Sequence, residues 1–254
     1  MKLTVLGCSG GIAAGLRTTS MLLDEDILID AGTGVGDLTL EAMRRIDHVF
    51  LTHSHLDHVT SLPFLLDSVG PLRDRPVIVH ALPETIAVLR EHLFNWKLWP
   101  DFTRIPEPDR PFLRFEDIHT GQTVALEGRR ITALPALHVL PAVGYLLDSG
   151  QASLAFSGDT IDCQAFWDAL NEVDNLRYLL IEASFTDAER NVALAAKHYH
   201  PSLLAENLSK LKRAAEIYIT HLGPSEQEEI MEEILAATKG FEPRKLDHGH
   251  IFKF

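Results

Sequence analysis

The sequence predicts an α/β (α+β) fold with much sheet, on three observations. Short apolar runs bounded by turn residues recur along the chain, segments of helical period lie between them, and four of the runs end at a histidine or aspartate. In chain order, strands are expected at Lys2–Leu6, Met21–Leu23, Ile27–Ile29, Val49–Leu51 and Val77–Val79. A helix is expected over Pro83–Phe94, because proline's fixed φ and missing N–H suit the first helical position. The stretch from Leu98 to Pro111 carries four of the 13 prolines and reads as a loop. Further strands follow at Ile131–Leu134, Val143–Leu147, Ser153–Phe156, Tyr178–Ile181 and Glu216–Ile219. Helices are expected over Gln164–Asn171, Ser202–Lys212 and Ser225–Thr238, each opening near Asp, Pro or Ser.

Composition narrows the function. A chain of 254 residues can bury a large core as one domain or as two closely packed halves. The opening MKLTVLG reads as a strand without the layout of a signal peptide, and no apolar run approaches the roughly 20 residues needed to cross a bilayer. Cys8 and Cys163 are the only cysteines, so a reducing cytoplasm is expected. Net charge is −13, which argues against a nucleic-acid surface built on clustered Lys and Arg. A small anion held by bound cations stays compatible with it.

The chemistry concentrates in VFLTHSHLDHVTSL, where His53, His55, Asp57 and His58 fall within six positions. His53 and His55 lie two apart, so in extended backbone both project to one side and can grip one ion. Asp57 and His58 follow as the chain turns towards a helix, which re-aims them at a second ion. His138 follows ITALPAL, Asp159 follows LAFSG and His221 follows IYIT, so strand ends bring distant groups to one edge. Seven such ligands exceed what one tetrahedral ion can use and suit two ions with a bridging carboxylate. Imidazole and carboxylate without thiolate point to zinc first, with manganese or iron as alternatives. Two internal echoes suggest similar halves: HVFLTH returns as EIYITH, and LIDAG as FSGD.

THSHLDH, with His138, SGDT and ITH downstream, resembles the metallo-β-lactamase superfamily over essentially the whole chain. That resemblance implies one domain over residues 1–254, an αβ/βα four-layer sandwich, and a dinuclear site at its open edge. It implies that His53, His55 and His138 hold the first metal and Asp57, His58 and His221 the second. Asp159 and a nucleophilic hydroxide would bridge them, and the aspartate of LIDAG would support the site from behind. Leu56 within HSHLDH, the GCSGG opening, IEASF and KHYHPSLLAENL resemble the class II 3′,5′-cyclic-nucleotide phosphodiesterases. Pro63 and Asp67-Ser68 depart from that family's usual Asn-Ser-Pro continuation. The tRNA 3′-end endonucleases share the layout, and by their Glu-Ala-Thr-Phe-like motif Glu182 orients His198, which protonates the leaving oxygen. The catalytic residues so implied are Asp57, Glu182 and His198, and the implied substrate is a small cyclic nucleotide. Lactonases and other carbon-ester hydrolases share the fold, as do binding proteins that have lost ligands; here every ligand position is filled.

Phe94, Trp96, Trp99 and Phe102 crowd HLFNWKLWPDF and read as packing, on this domain or across a homodimer interface, before base stacking. His48, His80, His92 and His119 read as surface or structural residues, and His248 and His250 as part of a turn before a final strand. Cys8 is expected to pack near the site without reacting.

Overall fold

Alternation of inward and outward side chains along the strands decides the architecture. Ile27 and Ile29 join one apolar cluster while Leu28 between them joins another, and Tyr178 and Leu180 are divided in the same way from Leu179 and Ile181. Such strands are apolar on both faces, so each sheet must be covered twice. A computed structural model of the chain, describing residues 1–238 and 240–254, shows how.

The strands are β1 (Lys2–Gly7), β2 (Ser20–Leu23), β3 (Ile27–Ala31), β4 (His48–Phe50), β5 (Val77–Ala81), β6 (Leu113–Asp117) and β7 (Thr123–Leu126). They continue as β8 (Arg129–Pro135), β9 (Val143–Asp148), β10 (Ser153–Phe156), β11 (Leu176–Glu182), β12 (Glu216–Thr220), β13 (Arg244–Lys245) and β14 (Ile251–Lys253). They form two seven-stranded sheets, ordered β14-β1-β2-β3-β4-β5-β6 and β13-β12-β11-β10-β9-β8-β7. In the first sheet β3 to β6 run parallel, and in the second β10 to β13 do. The inner faces meet in a core that includes Phe50, Tyr145, Phe156 and Phe252.

The outer faces are covered by helices α1 (Leu40–Arg45), α2 (Leu56–Val59), α3 (Leu62–Val69) and α4 (Pro83–Val88) on the first sheet's side of the chain, and α5 (Gln164–Asn171), α6 (Arg190–Ala196), α7 (Pro201–Leu208) and α8 (Gln227–Ala237) on the second's. Leu62, Leu65, Leu66 and Val69 of α3 pack on Val49 and Val79, and Trp167, Leu204 and Ile230 pack on Leu179 and Ile219. The result is the four-layer αβ/βα sandwich.

Several expected boundaries move, among them the helix expected over Ser202–Lys212, which spans Pro201–Leu208, and that over Ser225–Thr238, which spans Gln227–Ala237. The helix expected over Pro83–Phe94 is α-helical to Val88 and then widens into a π turn over Leu89–Leu93, closed by a 2.8 Å bond from Phe94 N to Leu89 O. The strand expected at Val49–Leu51 spans His48–Phe50, a shift within the usual uncertainty of element ends. Short elements such as α1, α6 and β13 carry too little periodicity to be seen in advance. Phe94 and Phe102 are buried and Trp99 packs against the same cluster, whereas Trp96 is exposed. No helix among the described residues is long and apolar enough to cross a membrane.

Candidate metal centre

Parallel pairing sends the C-terminal ends of β3, β4, β10, β11 and β12 to the sandwich's edge, and β8 points the same way because two antiparallel pairings separate it from β10. His53 and His55 lie just beyond β4, and Asp57 and His58 in the short helix α2. His138 lies beyond β8, Asp159 beyond β10 and His221 beyond β12. The fold brings these groups together in two sets: His53, His55, His138 and Asp159, and Asp57, His58, Asp159 and His221, each with ligand atoms within 4.8 Å of one another. Asp159 belongs to both. His53, His58, Asp159, His138 and His221 are buried.

The hydrogen bonds behind these residues fix which ring nitrogens face the cluster. His58 Nδ1 donates to Asp30 at 2.8 Å, His138 Nδ1 to the Lys197 carbonyl at 3.2 Å, His221 Nδ1 to Ser184 Oγ at 2.9 Å, and His53 Nδ1 to Thr52 Oγ1 at 3.0 Å. Asp30 and the Lys197 carbonyl can only accept, which puts the proton on Nδ1 of His58 and His138. The Thr52 and Ser184 hydroxyls donate to Asp30 and Glu182, so they accept from Nδ1 of His53 and His221, leaving the Nε2 atoms facing inwards. Nitrogens then face nitrogens: His58 Nε2 lies 3.4 Å from His221 Nε2, and His138 Nε2 lies 3.2 Å from His55 Nδ1. Buried His53 Nε2 has no hydrogen-bond partner at all. Converging lone pairs and an orphaned buried nitrogen are what a cation satisfies, so the donor set fits two divalent ions.

Electrostatics agree. Burial pushes His53 well down and takes His138 to about 4. Burial works against charge on His58 as well, but the carboxylates of Asp159 and Asp30 outweigh it and raise the group well above its ordinary range. Burial alone would raise Asp159, yet His221, His58 and His53 hold it well below the carboxylate range. The buried carboxylates therefore demand positive charge in this spot.

Beside the cluster, His198 Nδ1 donates to Glu182 Oε1 at 2.7 Å, and its ring stacks on His221 and meets His138 edge-on. Burial opposes charge on His198, but Glu182, Asp159 and Asp57 together push it up to about 9. Glu182 is fully buried and is held by Thr160 N at 3.0 Å and Ser184 Oγ at 3.1 Å. Ser184 thus stands between the Glu182–His198 pair and His221, a link that the sequence reading did not single out. The Glu-Ala-Ser spacing was the available signal. Gly10 was another: a Cβ there would sit 2.8 Å from the His221 carbonyl oxygen and 2.9 Å from its Nδ1. Asp30 and His221 adopt φ of 57° and 61°, and Lys197 55°, left-handed conformations at three residues that hold or form the cluster.

Cys8 packs nearby with its thiol pushed up to about 12, mainly by burial, and its carbonyl accepts from His221 N at 2.7 Å. His80 is buried against Phe50, His48 bonds it at 3.0 Å, and His248 bonds the Leu6 carbonyl, so these three stand outside the cluster. His92 and His119 are exposed.

A double-sheet sandwich gathering histidines and carboxylates at one open edge defines the class: a metal-dependent hydrolase of the metallo-β-lactamase fold. The family described as "Beta-lactamase superfamily domain" matches residues 25–222, and the chain belongs to that superfamily. Among relatives, it is 28% identical to a Yersinia pestis protein named "Probable 3′,5′-cyclic-nucleotide phosphodiesterase", over 89% of this chain and 79% of the relative. It is 33% identical to a Bradyrhizobium diazoefficiens protein named "Ribonuclease Z", over 54% of this chain and 46% of the relative. The crystal structure of unliganded yeast PDE1 superposes with a TM-score of 0.79 at 16% identity, covering 98% of each chain.

Proposed function

We propose that this chain is a cytoplasmic dinuclear phosphodiesterase that opens 3′,5′-cyclic AMP or cyclic GMP to the 5′-nucleotide, its residues 1–254 acting as one domain. The observation that carries the reading is the Glu182–His198 pair, bonded at 2.7 Å and packed against the two ligand sets. His53, His55 and His138 would hold one ion, Asp57, His58 and His221 the other, and Asp159 both. Two bound divalent ions, zinc by donor type and manganese or iron as alternatives, supply charge stabilisation and water activation.

The chain's own groups do the rest. Glu182 fixes the His198 ring through Nδ1, leaving Nε2 to deliver a proton. Water would lose a proton and add to phosphorus as the P–O3′ bond breaks, and His198 would protonate the departing 3′-oxygen. The proton released by the water would restore the charged His198. A cyclic diester holds phosphate and sugar as one rigid unit, so little ordering entropy is lost on binding. The acidic surface suits a small monoanion better than a polyanion.

The test compares kcat/KM for cyclic AMP, cyclic GMP, 2′,3′-cyclic nucleotides and a precursor tRNA on protein carrying two metal equivalents. Efficient opening of the 3′,5′-cyclic substrates is expected. Efficient tRNA trimming with inert cyclic nucleotides would place the chain with the endonucleases instead.

A further inference from the structure

His138 lies in the segment between β8 and β9, which side-chain packing does little to hold. Leu137 and Val139 on either side of it are 43% and 49% exposed, so hydrogen bonds must fix the loop. Two anchors supply them. At Leu137 the N–H donates to Thr160 Oγ1 and the carbonyl accepts from Ile161 N, both at 2.9 Å, which ties the loop to the turn carrying Asp159. At His138 both bonds go to one residue. His138 Nδ1 donates to the Lys197 carbonyl at 3.2 Å, and Lys197 Nζ donates to the His138 carbonyl at 2.9 Å.

Lysine is an unusual residue for that place. It closes α6 at φ 55° and ψ 52°, with His198 N donating back to the Ala193 carbonyl at 2.9 Å. Glycine fills this left-handed position at helix ends without strain, whereas a Cβ there carries a steric cost. Such an outlier points to function when the side chain does something glycine could not. Here the ammonium grips the His138 backbone while the carbonyl of the same residue holds the His138 ring. His198 follows directly, and its ring meets the His138 ring edge-on with centroids 4.9 Å apart. One residue thus sets a ligand of the first set and the proposed proton donor relative to each other.

We infer that Lys197 is a positioning residue, its ammonium clasping the His138 backbone so that the His138 ring and the His198 ring keep their mutual register. The inference rests on the two-ion reading above and not on which diester is cleaved. Zinc titration of the metal-free protein by calorimetry tests it without turnover, on the unaltered chain and on Lys197→Gly, Lys197→Met and Lys197→Arg. The glycine and methionine variants should each weaken one of the two zinc equivalents by roughly tenfold, the low end of what outer partners of metal-bound histidines contribute. Lys197→Arg keeps a cationic donor on a long stem and should stay within about threefold. Without metal, Lys197→Gly should melt above Lys197→Met, because it removes the left-handed strain. A role confined to closing α6 predicts the higher melt with zinc binding unchanged, and that result overturns the inference. Equal losses in all three variants also overturn it, since the donor would then not matter. Uptake of a single equivalent by the unaltered protein overturns the two-ion reading and the inference with it. The expected zinc pattern in a protein that hydrolyses no phosphodiester keeps Lys197 in its role and sinks the phosphodiesterase.

Discussion

At the scale of single residues, the centre is ordered by what lies behind the ligands. Asp30, Ser184, Thr52 and the Lys197 carbonyl each take an Nδ1 proton and thereby aim a lone pair. His198 differs, since on the proposed reading its bond to Glu182 would orient a proton donor. His198→Ala should therefore lose roughly 10²–10⁴ in rate on a diester with an alkoxide leaving group, the usual size of general acid catalysis. The loss should be much smaller on a nitrophenyl diester, whose leaving group needs no proton. Equal losses on both would show a positioning role instead. Gly10 offers a different test, because an added methyl meets both the backbone and the ring of His221. Gly10→Ala should weaken binding of one of two metal equivalents, seen by elemental analysis after dialysis. Retention of both equivalents would show that the loop gives way.

At the scale of elements, two contacts hold the two ends of β4. Tyr145 on β9 donates to the Leu51 carbonyl at 2.8 Å, reaching across from the second sheet to the segment just before His53. The ring is fully buried. Tyr145→Phe should cost about 1–3 kcal/mol in denaturant unfolding, the penalty of leaving a buried carbonyl unpaired. An unchanged midpoint would mean that water replaces the hydroxyl. At the other end of β4, Asp47 accepts from Arg73 at 2.6 Å and from Arg75 at 2.6 Å. Burial pushes Asp47 up, but the two guanidiniums outweigh it and hold the carboxyl below its usual range. A depressed folded value stabilises above the unfolded pKa of about 3.9 and loses that contribution as pH falls through the folded value. Asp47→Asn should accordingly lower stability near neutrality, by less than about 1 kcal/mol for a pair this exposed, and the gap should close in acid. Thermal melts at both pH values check it.

At the scale of the whole molecule, the centre is a seam. His53, His55, Asp57 and His58 come from the first sheet's edge, and His138, Asp159 and His221 from the second's. Ions bound there would join the two sheets and stabilise only the folded state. At about 100 times the dissociation constant, linkage predicts roughly 2.7 kcal/mol, several degrees in melting temperature for a chain of this size. Chelation should reverse the shift, and a melt insensitive to metal would exclude a bridging role. The sheets also repeat one another: each has three antiparallel pairings followed by three parallel ones. By that order β3 corresponds to β10, so the echo of LIDAG in FSGD falls on equivalent strands. HVFLTH and EIYITH do not, because β4 corresponds to β11 and β12 to β5.

The sequence by itself determined the class of fold, most strand positions and the grouping of His53, His55, Asp57 and His58. Periodicity of two and ligands packed into six positions are local signals that need no partner. It also marked the strand ends at His138, Asp159 and His221, since each follows an aliphatic run. Which of these share an ion-sized space was expected only from the family resemblance, and the packing of the two sheets supplies the distances that bring them into two sets with Asp159 in both. Tertiary structure alone decided that Ser184 joins Glu182 to His221 and that Gly10 abuts His221. These contacts form between residues far apart in the chain, where no local period or motif spacing records them.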